Sequence, residues 1–346
     1  MGSRLEPIQP TDDSIHRAAL ALKAGELVVL PTETVYGLAA DASQAQAVQA
    51  IYSLKGRPAG HPLIVHVANT GLAQRWSVFD DRAHALADAF WPGPLTLILP
   101  RQPDAPAWAC GGQSSIGLRC PSHPVAQAVL QAFARIDALG GVAAPSANRF
   151  GRVSPTRAQH VIDDLGEQTP LLLDGGPCEV GVESTIVDLT GTQARLLRPG
   201  RIRREAIEAV LGEPLGGQDA DAPRASGTLA SHYCPVTPVR VVDEDRLDAA
   251  LVELAEANGL SGVSAFGRSG REGGNSGVYS RQRPMNPDVL WLAAPSDADG
   301  WEQALYDAMR HLDRQGLARI VIAAPREGPQ WDAVMDRVSR AAVRGQ

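Results

Sequence analysis

Apolar positions recur along this chain with two different periods. Residues 13–24 repeat an apolar face every three to four positions, which predicts an amphipathic helix capped by Asp12 or Asp13 and stopped at Gly25. Leu27-Val28-Val29-Leu30 is a continuous apolar run closed by Pro31 and predicts a buried strand. A helix over 43–54 and a strand over Leu63–Val67 follow. Leu95–Leu99, bounded by Pro94 and Pro100, reads as β, as do Ser115–Leu118 and Val142–Ala144. Ser154-Pro155 reads as a helix start, with serine as cap and proline at the first helical position. Leu171–Leu173 and Thr185–Val187 are further strands. Strands and helices mix irregularly here, which predicts an α/β domain built on a twisted mixed sheet.

The pattern breaks over residues 212–235, where Gly212, Pro214, Gly216, Gly217, Pro223 and Gly227 crowd together as in a linker. It restarts with strands at 238–242, 262–265, 289–293 and 320–323 and helices at 247–257, 301–315 and 331–343. That alternation predicts a small Rossmann-like, doubly wound parallel domain. Residues 267–286 are rich in Gly, Ser and Arg and read as a mobile loop. At 346 residues the chain is long enough for two domains, with expected bounds of 10–205 and 237–346 and a linker or lid over 206–236.

Composition narrows the classes. With 44% hydrophobic and 21% charged residues the chain is globular. No apolar run is long enough to span a bilayer, and the polar start of the chain does not read as a secretory signal. Cys110, Cys120, Cys178 and Cys234 form no Cys-x-x-Cys pair, so scattered reduced thiols in a cytoplasmic protein are expected and a structural transition metal is not. The net charge of −7 is spread evenly along the chain and gives no global basic footprint for nucleic acid.

Charge type changes the picture more than net charge. Of 32 basic residues only Lys23 and Lys55 are lysines. Lys55 stands in Lys55-Gly56-Arg57-Pro58, which fits a phosphate or carboxylate clamp and equally a solvated loop. Thr32 and Thr34 lie in a polar turn after a buried strand, where their hydroxyls suit either a small ligand or turn capping. His66 sits inside a strand. Arg119 ends one, and Ser146 and Asn148 follow another. No Gly-x-x-x-x-Gly-Lys-Ser/Thr loop or strand-linked Gly-x-Gly-x-x-Gly exists. Taken together, these residues favour anionic and polar ligands and point to phosphoryl or nucleotidyl chemistry run by positioning and electrostatics.

Six motifs then appear in order: residues 31–38, Lys55-Gly56-Arg57-Pro58, Trp91-Pro92-Gly93-Pro94-Leu95-Thr96, Pro145-Ser146-Ala147-Asn148, residues 183–188, and Leu197-Arg198-Pro199-Gly200. Over about residues 10–205 the chain resembles the YrdC/Sua5 family of threonylcarbamoyl-AMP synthases. Ser231-His232-Tyr233-Cys234-Pro235 and the following α/β segment resemble the long Sua5-type branch. The resemblance implies synthesis of L-threonylcarbamoyladenylate from L-threonine, bicarbonate or CO2, and ATP, with release of pyrophosphate, for t6A modification of tRNA. It implies Thr34, His66, Arg119 and Ser184 for threonine. For ATP it implies Lys55, Arg57, His61, Ser115, Ser146, Asn148, Ser154, Arg198 and, from the linker, Tyr233. Magnesium would arrive on the ATP phosphates, and tRNA and downstream t6A-transfer proteins are implied as partners. Two positions depart from the pattern: His61 stands where asparagine is usual, and Ala144 where a small hydroxyl residue is common. The competing expectations are a non-catalytic RNA-binding protein of the same fold, and a carbamoyl-transfer module like that of hydrogenase maturation proteins.

Overall fold

The structure is a computed structural model that describes residues 6–217, 219, 221–228, 231–257, 276–325 and 327–343. They fall into two units, Met1–Phe150 with Ser154–Thr228, and Gly151–Val153 with Leu229–Gln346.

The first unit carries strands β1 (Val28–Leu30), β2 (Gly37–Asp41), β3 (Ile64–Val67), β4 (Leu95–Pro100), β5 (Ser115–Arg119), β6 (Gly141–Ala143), β7 (Leu171–Leu172), β8 (Thr185–Asp188) and β9 (Arg195–Arg198). They form one sheet in the order β7-β1-β2-β6-β3-β5-β4-β8-β9. Three neighbouring pairs, β1–β7, β3–β5 and β4–β8, are parallel and the rest antiparallel, so the expected mixed sheet is present. Val65, Leu97, Leu99, Ile116 and Leu118 point into the main core with Leu22, Phe133 and Trp76.

Helix α1 (Asp12–Lys23) opens the unit, but its cap is Thr11 and not an aspartate. Thr11 and Ser14 close a reciprocal box, with the Ser14 amide donating to Thr11 Oγ1 at 3.2 Å and the Thr11 amide to Ser14 Oγ at 2.8 Å. Helix α2 (Ala45–Lys55) ends on Gly56 at φ 65, a left-handed cap that glycine adopts without strain. The helix expected to start at Ser154 instead runs Ala158–Leu165. Its first turn is closed by the His160 ring, which accepts from the Thr156 amide at 3.2 Å, while the Ser154 hydroxyl goes elsewhere. Three further elements are helices Asp81–Phe90 and Pro124–Ala134, the second burying Ala126, Val129, Leu130 and Phe133 along one face, and β2, whose alanines are poor strand formers held by β1 and β6.

The second unit is a parallel sheet of β10 (Val239–Asp243), β11 (Ser276–Ser280), β12 (Leu290–Ala293) and β13 (Arg319–Ala324), ordered β10-β13-β11-β12. Helices Leu247–Ala257, Ala298–Asp313 and Asp332–Ala342 accompany it. This meets the expected parallel second domain. Strand β11 corrects the loop reading over 267–286: Val278 and Tyr279 are buried there despite the polar residues around them. The rest of that segment up to 275, and the strand expected at 262–265, lie outside the described residues.

Candidate active site

The first unit's sheet builds its polar site by register. In β3, β5 and β4, His66 pairs with Arg119 and Arg119 with Thr96. Residues opposite one another on neighbouring strands point to the same face, so imidazole, guanidinium and hydroxyl form one row across the sheet. Thr96 Oγ1 lies 2.7 Å from Ser184 Oγ, which carries the row to the residue just before β8. The next row on this face is Ile64, Gly117 and Ile98, with Ser115 beyond it. One sheet face thus serves the core and the other carries the site.

The turn between β1 and β2 supplies the partners of Arg119. Thr32 Oγ1 accepts from the Thr34 and Val35 amides, both at 3.2 Å, and donates to Val35 O at 2.6 Å. Thr32 therefore caps the turn, whereas Thr34 turns to the site and accepts from Arg119 Nη1 at 2.8 Å. Arg119 Nη2 lies 2.7 Å from Glu33 Oε1, with side chains 5% and 4% exposed. Burial works to raise the Glu33 carboxyl, but the Arg119 charge overrides it and holds Glu33 below the usual carboxylate range. Burial, and then Arg119, push His66 down to about 3, so its ring is neutral at neutral pH. His66 Nδ1 sits 3.2 Å from the Ile64 carbonyl, which accepts only, so Nδ1 carries the proton and Nε2 offers a lone pair. Such a ring positions a hydroxyl or amine well and is a weak general base.

A second group of side chains is cationic. Lys55 Nζ donates to the carbonyls of Ser146 and Asn148, both at 2.5 Å. Burial, with Arg57 adding to it, drives the Lys55 amine well below its ordinary value. Arg57 Nη2 donates to Pro62 O at 2.9 Å and Ser226 Oγ at 3.2 Å, and its guanidinium lies 5.7 Å from the Phe150 ring centroid. The His61 ring packs on the same phenyl group at 5.6 Å. Arg198 donates through Nε to Ser184 O at 3.0 Å, through Nη2 to Ser184 Oγ at 3.1 Å and through Nη1 to Ser226 O at 2.8 Å. Ser154 Oγ donates to Glu183 Oε1 at 2.5 Å, tying it to the same loop. Arg119, Thr34, His66 and Ser184 thus converge, Lys55 meets Ser146 and Asn148, and Arg57 and Arg198 share Ser226.

Tyr233 belongs to the second unit. Its backbone takes φ 63, unusual for a residue with a side chain. Its ring stacks on Tyr306 at 5.7 Å with the Arg337 guanidinium 5.3 Å away.

Sequence reasoning assigned no role to Glu33, Thr96, Phe150 or Ser226. Glu33 stood between two threonines that were singled out, and Thr96 was the one polar residue in an apolar strand run. Ser226 carried no signal within a Gly/Pro-rich stretch. That stretch covers the site: Ala225 packs on Ile98, Ile186 and Leu197, and the cavity left beneath Arg224–Ser226 is about 10 Å³, room for one water. Among the described residues, no group of three or more His, Cys, Asp or Glu side chains is placed to hold a metal ion, and no helix is long and apolar enough to cross a membrane.

A family model spanning the Sua5, YciO and YrdC proteins, described as telomere recombination, matches residues 20–200. A second, described as the threonylcarbamoyl-AMP synthase C-terminal domain, matches residues 202–343. A threonylcarbamoyl-AMP synthase of Pyrococcus abyssi is 36% identical over 95% of this chain and 94% of its own length. One of Bacillus subtilis is 34% identical over 97% and 95%. The crystal structure of P. abyssi Sua5 complexed with L-threonine superposes with a TM-score of 0.84 at 34% identity, covering 98% of this chain and 97% of that one. With the two models matching residues 20–200 and 202–343 and relatives aligned along nearly their whole length, the chain belongs to the Sua5/YciO/YrdC family, in the two-domain form that carries the threonylcarbamoyl-AMP synthase C-terminal domain.

Proposed function

We propose that the protein is an L-threonylcarbamoyladenylate synthase, joining L-threonine, CO2 or bicarbonate, and ATP, and releasing pyrophosphate. The observation that carries this reading is a buried arginine row and a separate cationic group within one unit: one suits an amino-acid carboxylate, the other a triphosphate. Arg119 is the natural fork for the threonine carboxylate. Thr34, His66 Nε2 and Ser184 surround it with hydrogen-bonding groups for the amine and hydroxyl. Lys55, Arg57 and Arg198 supply charge to the phosphates, with Ser115, Ser146, Asn148, Ser154 and His61 as lesser contacts, and the family resemblance adds Tyr233 to the nucleotide contacts. Magnesium fits as a companion of the phosphates, because the donors gathered here are cations and hydroxyls that hold phosphate oxygens; once bound it neutralises charge on the leaving pyrophosphate.

The chemistry then needs little covalent help from the protein. The threonine ammonium first gives up a proton to solvent; the neutral amine then adds to CO2 and releases a second proton to leave the carbamate anion. One oxygen of the resulting carbamate attacks the α-phosphorus in line, an O–P bond forms, and the bond to the β-phosphate bridging oxygen breaks. Residues 222–226 would have to move for a nucleotide to enter and could then exclude water from the labile carbamate. The product would serve t6A formation in the cytoplasm by passing to a tRNA-modifying partner.

The test is incubation of the pure protein with threonine, bicarbonate, ATP and magnesium, read by mass spectrometry for the carbamoyl-adenylate and by pyrophosphate release. Product should vanish when threonine or bicarbonate is omitted. ATP turnover indifferent to both would reject the reading.

A further inference from the structure

The contact between Glu33 and Arg119 is close but poorly directed. A structural arginine–carboxylate pair is commonly a fork, with two aligned N–H bonds. Here Arg119 Nε and Nη2, and both Glu33 carboxylate oxygens, are buried without a well-aligned hydrogen bond, although the backbone amides of Glu33 and Ser122 lie close enough to help Arg119 hold the carboxylate ionised. Charge is balanced while four polar atoms stay unsatisfied, a state that costs stability in a buried site. The backbone holding Glu33 is not loose: the Val180 amide donates to Glu33 O at 2.7 Å and the Tyr36 amide to Pro155 O at 2.9 Å. The site is therefore fixed, with these atoms short of well-aligned partners.

A ligand that satisfies both sets must carry an anion for Arg119 and a cation for Glu33, a short distance apart. An α-amino acid zwitterion does. The other titratable groups near Glu33 are His66, Cys120, His123 and Cys178, and burial pushes all four towards their neutral forms. None of them can balance an ammonium.

We propose, building on the threonine-dependent activity above, that Glu33 receives the substrate amine, so that Glu33 and Arg119 together select a zwitterion and aim its nitrogen. The substrate carboxylate takes up Arg119 Nε and Nη2, and the amine takes up the Glu33 oxygens that Arg119 leaves unsatisfied.

The test is calorimetric titration of the full chain with L-threonine and with 3-hydroxybutanoate, which is threonine without its amine. The wild-type protein should bind threonine at least about tenfold more tightly, the worth of one charge-assisted hydrogen bond. Glu33→Gln should weaken threonine by a similar factor and change 3-hydroxybutanoate by less than about threefold. If Glu33 serves only as a counter-ion for Arg119, both ligands shift together in Glu33→Gln, and that result overturns the proposal. Equal affinity of the wild-type protein for the two ligands overturns it as well. Should Glu33→Gln fail to fold, Glu33→Asp keeps the charge and withdraws it by one methylene; it should weaken threonine more than 3-hydroxybutanoate, and equal weakening counts against the role. A wild-type protein that binds no threonine at all defeats the activity itself, and is thereby told apart from failure of the Glu33 assignment.

Discussion

Single residues in this site are set by what burial does to their charge. Arg119 keeps a planar fork that lysine cannot reproduce, so Arg119→Lys should lower threonine-dependent pyrophosphate release at least about tenfold, for the loss of a contact worth roughly 1.5–3 kcal/mol. The effect should fall mainly on KM for threonine. Lys55 is pushed well below its ordinary 10.5 by burial and then by Arg57. A triphosphate beside it reverses that push, so the Lys55 amine should titrate at higher pH in the ATP complex than in the free protein, read by titrating the protein with and without ATP. His66 gives a second pH signature. Its folded value of about 3 lies below the ordinary 6.5, so the unfolded chain binds the extra proton and stability is lost as pH falls from about 6.5 to about 3. His66→Gln should therefore unfold at lower pH than the wild-type protein in an acid titration followed by circular dichroism. Much at this scale was legible in the sequence: Lys55, Arg57, Arg119 and Arg198 stand in short motifs that charge type alone makes conspicuous. Glu33 was not, because its meaning lies in a partner 86 positions away that only the fold supplies.

At the scale of elements, strand register decides which side chains meet. Gly117 lies between Ile64 and Ile98 on the site-facing side of the sheet. A Cβ there would sit 3.5 Å from Ile64 Cγ1 and 3.7 Å from Thr96 Cγ2, ordinary contacts that the fold accepts. Gly117→Val would nevertheless push methyl groups into the small cavity beneath Arg224–Ser226. It should leave the melting temperature within a few degrees of wild type, about 1 kcal/mol, while cutting adenylate formation at least about tenfold. Gly141→Ala, by contrast, brings its Cβ to 2.6 Å from the Trp76 ring. That clash lies in the core and should cost roughly 1–3 kcal/mol in urea unfolding. Strands with continuous apolar runs, such as β3 and β4, were readable from the chain. Strand β2 was not, since alanine is a poor strand former and pairing with β1 and β6 decides its conformation, whereas the helix Pro124–Ala134 does carry its face in the chain, at Val129, Leu130 and Phe133. The cap at Ser154 misled because its hydroxyl is taken by Glu183, far along the chain.

For the whole molecule, the division into a mixed-sheet unit and a parallel-sheet unit followed from the composition break and the change in alternation. Three of the four described second-unit strands lie where the apolar runs placed them; β11 does not, because its short apolar core is flanked by Gly, Ser and Arg. A net charge of −7 sets an expectation for the proposed tRNA partner: non-specific RNA binding should be weak and should fall steeply with salt. Ligands that bind only the folded first unit should stabilise it, by about 2.7 kcal/mol at one hundred times their dissociation constant. The account as a whole depends on an amino acid and a nucleoside triphosphate lying on one face of the nine-stranded sheet. The most direct measurement is a crystal structure of the full chain with L-threonine and a non-hydrolysable ATP analogue. The account predicts the threonine carboxylate on Arg119, the triphosphate on Lys55, Arg57 and Arg198, and residues 222–226 displaced from their present seat. It is contradicted if both ligands bind elsewhere while Arg119 stays against Glu33 and Ala225 stays packed on Ile98 and Ile186.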